Sequence, residues 1–309
     1  MALSIGLDVG GTNIRLGVFT GLKLIDETRF QADFSRFCKD HAPDEAWQQI
    51  LRVTANAIQS VITKHPDVQG IGIGFPGFIN PQTQLISQSP NLPGIKNVNL
   101  AADLSQLIGK KVIVENDANA AAFGEYSLAG KPEGGFIYLC LGTGVGGGFV
   151  DASGKLYSGQ HGVAMEVGHI IIEPNGRQCG CGNKGCMEQY ASASGVAISY
   201  TIQNSTKQKL TAQQIAELAR VGNKDAQAAY NKAGEALATA LAHVLKVVDV
   251  PNVVIGGGMS GAWDLMQAAF DKRLEADLIP VLRGKIKVNI SSSGDQAGML
   301  GAALLASLE

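Results

Sequence analysis

Ile5-Gly6-Leu7-Asp8-Val9-Gly10-Gly11-Thr12 is an apolar strand that breaks into a glycine and threonine turn, and Ile14 to Phe19 resumes the strand pattern beyond it. The stretch returns as Ile137-Tyr138-Leu139-Cys140-Leu141-Gly142-Thr143-Gly144, followed by a further apolar strand at Phe149-Val150. Two hairpins of one pattern, about 130 residues apart, point to a duplicated domain, against the alternative of two coincident hairpins. A chain of 309 residues has room for two domains, each with its own core.

Around these hairpins the pattern alternates between strand and helix. Asp44 to His65 predicts a helix, with Ala46, Ile50, Val53, Ala57, Val61 and Ile62 on one face and Pro66 ending it. Val68 to Gly74 and Lys111 to Glu115 read as strands, the second running into a helix over Ala118 to Gly124. Phe75-Pro76-Gly77 and Asn91-Leu92-Pro93-Gly94 are loop signals flanking a polar segment without a clear period. Farther on, helices are expected over Leu210 to Val221, Asp225 to Val248 and about Gln296 to Leu308, and strands at Val253-Val254-Ile255 and Ile286 to Ile290. The class is therefore α/β.

Composition narrows the partners. With 17% charged residues and a formal charge of −2, the chain has no field to attract nucleic acid or an acidic membrane. It shows no basic leader and no membrane-length apolar run, so a cytoplasmic protein is expected. Cys38 and Cys140 stand alone and read as small buried hydrophobes of a reducing compartment.

The other three cysteines sit together. His169, Cys179, Cys181 and Cys186 fall in one short stretch with Gly180, Gly182 and Gly185 between the thiols, a spacing suited to a closed tetrahedral zinc site of three sulfurs and one imidazole nitrogen. Incidental surface thiols or disulfides are the alternative.

Three glycine-rich turns at strand ends, Gly10-Gly11-Thr12, Gly142-Thr143-Gly144 and Gly256-Gly257-Gly258, offer backbone N–H groups to phosphate oxygens. Gly142, Gly144 and Gly147 match a dinucleotide pattern, but Phe149-Val150 after them is strand-like where that fingerprint needs a helix. Asp8 is placed to hold waters of a hydrated Mg²⁺, and the Thr12 hydroxyl to donate to a phosphate. Asp117 by itself reads as a helix cap; beside phosphate turns it reads as the base that takes a proton from an attacking hydroxyl. Glu166 and Glu188, flanking the metal set, are suited to pairing with sugar hydroxyls, their alternative being solvated surface charge.

Asp8-Val-Gly-Gly-Thr-Asn13, Glu115-Asn-Asp-Ala-Asn-Ala120, Leu141-Gly-Thr-Gly-Val-Gly-Gly147, Glu166-Val-Gly-His169 and Cys179-Gly-Cys-Gly-Asn-Lys-Gly-Cys-Met-Glu188, in this order, resemble the ROK family of bacterial sugar kinases and related repressors. The resemblance implies two related actin/hexokinase-like (ribonuclease H-like) domains with an ATP and sugar cleft between them. The first would hold 1–118 plus about 291–309, regained through the C-terminal helix, and the second 119–290 with the zinc. It implies ATP-dependent phosphorylation of a hexose, glucose first, with fructose, mannose or an N-acetylhexosamine as alternatives. Asp117 matches the catalytic base; Asn91, Asn116, Glu166, His169 and Glu188 match sugar-contacting positions. The turns at Gly10 to Thr12 and Gly142 to Gly144 would hold the phosphates, and Gly256 to Gly258 would lie against the adenosine. The zinc would be structural, because a closed Cys₃His shell leaves no open position. A homodimer is the family and symmetry expectation. A sugar-responsive repressor would need a helix-turn-helix ahead of Asp8, where the sequence leaves no room, so a sugar-binding regulator would here lack its DNA-binding domain.

Overall fold

The hairpin at the start forms as read. In the computed structural model, which describes residues 2–10, 13–204, 209–294 and 296–308, strands β1 (Leu3–Val9) and β2 (Asn13–Thr20) pair antiparallel with Val9 opposite Ile14. Gly11 and Thr12, expected at its tip, lie outside the described residues. A third strand, β3 (Lys23–Gln31), pairs antiparallel with β2, its side chains alternating between half-buried and exposed. Two helices follow, α1 (Phe34–Asp40) and α2 (Pro43–Lys64), the latter burying Ala46, Ile50, Leu51, Ala57, Ile58 and Val61. Val53 and Ile62, expected on the same face, are only partly buried.

β4 (Val68–Phe75) runs parallel to β1. The aperiodic polar segment then holds a short antiparallel pair, β5 (Phe78–Ile79) and β6 (Ile86–Gln88). Helix α3 (Leu100–Ile108) leads to β7 (Val112–Asn116), parallel to β4, and β7 runs directly into α4 (Asp117–Leu128). The sheet order is β3-β2-β1-β4-β7, and its inward Ile5, Leu7, Ile14, Leu16, Ile71, Ile73 and Val114 are fully buried.

The second hairpin opens the second sheet with β8 (Phe136–Leu141) and β9 (Val145–Val150). Helices α5 (Glu188–Ala191), α6 (Ala193–Asn204), α7 (Ala212–Arg220) and α8 (Lys224–Val248) precede β10 (Asn252–Gly256), which pairs parallel with β8. After α9 (Trp263–Asp277) comes β11 (Lys287–Ile290), parallel to β10, and then α10 (Gln296–Ser307). This sheet is ordered β11-β10-β8-β9. In both sheets the second strand of the hairpin flanks the first, and two parallel strands follow on its other side. That shared order is what a duplicated unit requires.

The chain divides into two compact units, one of Met1–Glu133, Gly148–Ala164 and Ser293–Glu309, the other of Gly134–Gly147 and Met165–Ser292. These bounds differ from the expected 1–118 with about 291–309 and 119–290: the first unit also takes 119–133 and 148–164, and it continues to Glu133 because α4 and α10 interlock. A Cβ on Gly124 would collide with the Ala297 carbonyl, and one on Gly301 with the Ala120 carbonyl. α10 also seats on the sheet at Gly6 and Gly72, where a Cβ would overlap the carbonyl oxygens of Met299 and Ala302. Only glycine permits backbones this close. No helix among the described residues is long and apolar enough to cross a membrane.

Candidate active site and metal centre

The metal set is built on a small loop whose backbone folds on itself. Cys179 N–H donates to Asn183 O at 2.9 Å, Gly185 N–H to Arg177 O at 2.8 Å, and Met187 N–H to Ile170 O at 2.9 Å. Gly182 (φ +96°) and Gly185 (φ +79°) take left-handed conformations, and a Cβ on Gly185 would strike the Glu173 carbonyl. Gly180 needs no such freedom, having no positive φ and no neighbour within 4 Å among the described residues. His169 closes a short 3-10 turn, Val167–His169, that brings its ring to the thiols.

The four ligand atoms lie within 4.8 Å of one another, with Cys181 Sγ 3.6 Å from Cys186 Sγ and Cys179 Sγ 3.7 Å from His169 Nδ1. Zinc–sulfur bonds of about 2.3 Å in a tetrahedron put sulfurs about 3.8 Å apart, so this set fits the ion. All five cysteines are free thiols. Burial, with Cys181 and Cys179 adding to it, pushes the Cys186 thiol up to about 12. A bound cation is what would hold the Cys186 sulfur as a thiolate.

Arg177, which no sequence pattern singled out, fastens this loop to the helices behind it. Its guanidinium lies 4.4 Å from the centre of the Tyr190 ring, while Nη1 donates to the Gln189 and Gly195 carbonyls at 2.6 and 3.1 Å and Nη2 to Ser199 Oγ at 2.9 Å. The Tyr190 hydroxyl in turn accepts from the Arg177 N–H at 3.0 Å. Desolvation lowers the guanidinium's pKa from its usual value.

The carboxylates that flank the metal set are half-buried. Glu166 Oε2 is 3.9 Å from His169 Nε2, and Glu188 Oε2 accepts from the Val145 N–H at 2.9 Å. The turn between β8 and β9 is closed on itself and tied to the same region: Gly142 N–H donates to Gly144 O at 2.9 Å, Ala193 N–H to Gly142 O at 2.9 Å, and Ser194 Oγ to Thr143 O at 3.2 Å.

In the other unit the junction of β7 and α4 carries Glu115, Asn116 and Asp117. The cap of α4 is Asn116, whose Oδ1 accepts from Asn119 N–H at 3.0 Å and whose Nδ2 donates to Gly77 O at 3.1 Å. Asp117 is therefore the first residue of the helix, and its Oδ1 accepts from the Ala118 N–H at 2.9 Å. Burial pushes its pKa above the ordinary aspartate value, against that hydrogen bond. Glu115, a second residue the sequence did not single out, accepts from Asn116 N–H at 2.9 Å, Asn119 Nδ2 at 3.1 Å and Ser158 Oγ at 3.0 Å.

The remaining expected positions differ in how open they are. Asn91 is exposed on a turn anchored by buried Leu92 and Ile95. Asp8 pairs across the sheet with Arg15, and its Cγ is 3.5 Å from where Gly298 would carry a Cβ. Gly10 N–H donates to Asn13 O at 2.9 Å, so that donor is already used. Packing requires Gly256, against the Tyr138 hydroxyl, and Gly257 (φ +82°), against the Leu141 carbonyl, whereas Gly258 is exposed.

Two halves of one strand order, each opened by a glycine-turn hairpin, define an α/β protein of the actin/hexokinase type. The chain belongs to the ROK family, whose profile matches residues 4–309. It is 32% identical to a glucokinase of Thermotoga maritima, covering 97% of this chain and 95% of that one, and 32% identical to an N-acetyl-D-glucosamine kinase of Haemophilus influenzae, covering 97% and 98%. Among solved structures it resembles a ROK family glucokinase of Streptomyces griseus in complex with glucose and AMPPNP, with TM-score 0.79, 29% identity and coverage of 99% and 100%.

Proposed function

We propose that the chain is an ATP-dependent hexose kinase that converts glucose to glucose 6-phosphate. What carries the reading is the placement of Asp117: because Asn116 caps the helix, the Asp117 carboxylate at the end of β7 is not consumed as the cap. It would accept the proton of the sugar hydroxyl as that oxygen bonds to the γ-phosphorus and the bond to ADP breaks. Asn91, Asn116, Glu166, His169 and Glu188 would hold the sugar; Asn116, with one amide hydrogen committed to Gly77 O, has its other to offer. The phosphates and adenosine would be held by the turns at Gly10 to Thr12, Gly142 to Gly144 and Gly256 to Gly258, and Asp8 would hold the waters of Mg²⁺.

His169, Cys179, Cys181 and Cys186 would bind a structural zinc that braces the loop carrying Glu166 and Glu188. A cytoplasmic setting belongs to this reading. A homodimer and the absence of nucleic-acid or membrane partners belong to the same reading. Similarity to an N-acetyl-D-glucosamine kinase at the same identity as to a glucokinase keeps that amino sugar as the second substrate to test. ADP release measured over a panel of glucose, fructose, mannose and N-acetylhexosamines tests the proposal, and no turnover with any of them would overturn it.

A further inference from the structure

We infer that Gly144 and the Val145 N–H are positioning elements for Glu188, so that the β8–β9 turn serves the sugar as well as the nucleotide and couples the two. This deepens the kinase reading and rests on it. The sequence assigns Gly144 to the phosphates. Its surroundings assign its smallness to something else: a Cβ there would collide with Glu188 Oε2. The next backbone donor, Val145 N–H, is spent on the same oxygen at 2.9 Å. Gly142 N–H is spent on Gly144 O. Of the four N–H groups from Gly142 to Val145, two are thus taken, leaving those of Thr143 and Gly144 for a phosphate.

The contact is seated from the other side too. A Cβ on Gly168, in the Glu166-to-His169 turn, would strike the Val145 carbonyl and come within 3.4 Å of Glu188 Cβ. A Cβ on Gly147 would come within 3.0 Å of Val167 Cγ2 and 3.1 Å of the Met165 carbonyl. The start of β9 is therefore packed by the segments that carry Glu166, His169 and Glu188. A sugar that rearranges this carboxylate must either move the turn or strip the Val145 N–H of its partner, and coupling of that kind is reciprocal.

The test is calorimetric titration of the zinc-loaded protein with glucose alone and with AMPPNP and Mg²⁺ alone. Gly144→Ala is expected to weaken glucose binding at least about tenfold, as loss of a hydrogen bond to a charged group does. Glu188→Asp keeps every backbone position but draws the carboxylate back from Val145. It is expected to weaken nucleotide binding by about threefold or more with no sugar present, and it carries the test should Gly144→Ala not hold its fold. Combining the two should cost glucose binding little beyond Glu188→Asp alone. Glucose binding within twofold of the parent in Gly144→Ala, or nucleotide binding unchanged in Glu188→Asp, overturns the inference. A parent protein that binds no hexose fails the kinase reading instead.

Discussion

The Ser158 hydroxyl donates to Glu115 Oε2 at 3.0 Å, joining residues 43 apart in sequence. Glu115 also takes the Asn116 N–H and Asn119 Nδ2, so a carboxylate whose pKa is raised by burial is held by three donors beside the proposed base. Removing one of them strands an oxygen. Ser158→Ala is expected to cost about 1–3 kcal/mol of stability, read as a lowered denaturation midpoint. Ser158→Thr, which keeps the hydroxyl, should restore most of it.

Asp117 must be ionised to take a proton. Since burial raises its pKa above 3.8, the charged fraction is lost, as pH falls, at a higher pH than for an exposed aspartate. The acid limb of kcat/KM should lie correspondingly high. Asp117→Asn should lower turnover by about 10²–10⁴ while glucose binding stays measurable; near-normal turnover would remove Asp117 from the role.

The same shift has a stability consequence of defined sign. With its pKa raised on folding, Asp117 binds more protons in the native state, so its contribution to stability is greatest below the unfolded value and is lost as pH rises through the raised one. Asp117→Asn should therefore unfold at a higher temperature than the parent at neutral pH. That gap should close as the pH falls to about 4.

Cys181 is the exposed member of the metal set, and Cys179 and Cys186 are buried. Metal analysis of the purified protein should find zinc. Cys181→Ser should lose most of it, and its loop, no longer held, should become susceptible to proteolysis. A parent protein without bound zinc would mean the site is misread.

Gly72→Ala places a methyl where the Ala302 carbonyl stands. Relief requires α10 to lift from β4, so a loss of about 3 kcal/mol or more is expected in chemical denaturation. Gly109→Ala, at a helix end with φ +72° and no neighbour within 4 Å among the described residues, should cost less, as backbone strain alone.

What the sequence determined by itself is what local chemistry encodes. The two hairpins were legible because an apolar run broken by glycines needs only its neighbours to turn, and the grouping of His169 with Cys179, Cys181 and Cys186 because the four lie within one short stretch. The β7 strand, the helix after it and the long periodic helices α2 and α8 followed from the same short-range rules. Strand β3 escaped because it is half-wet along its length, and α9 because only Met266, Phe270 and Leu274 of its fifteen residues are buried. Tertiary structure decided what each glycine and each charge is for. Gly6, Gly72 and Gly124 exist for a helix that arrives at the end of the chain, Gly301 on that helix for its approach to α4, and Gly144 for a carboxylate 44 residues later. Arg177 finds backbone carbonyls, and Glu115 a serine, that no pattern places beside them. Turns and periods depend on residues a few positions apart, whereas close approach and hydrogen-bond partnership depend on which distant segments the folded core brings together.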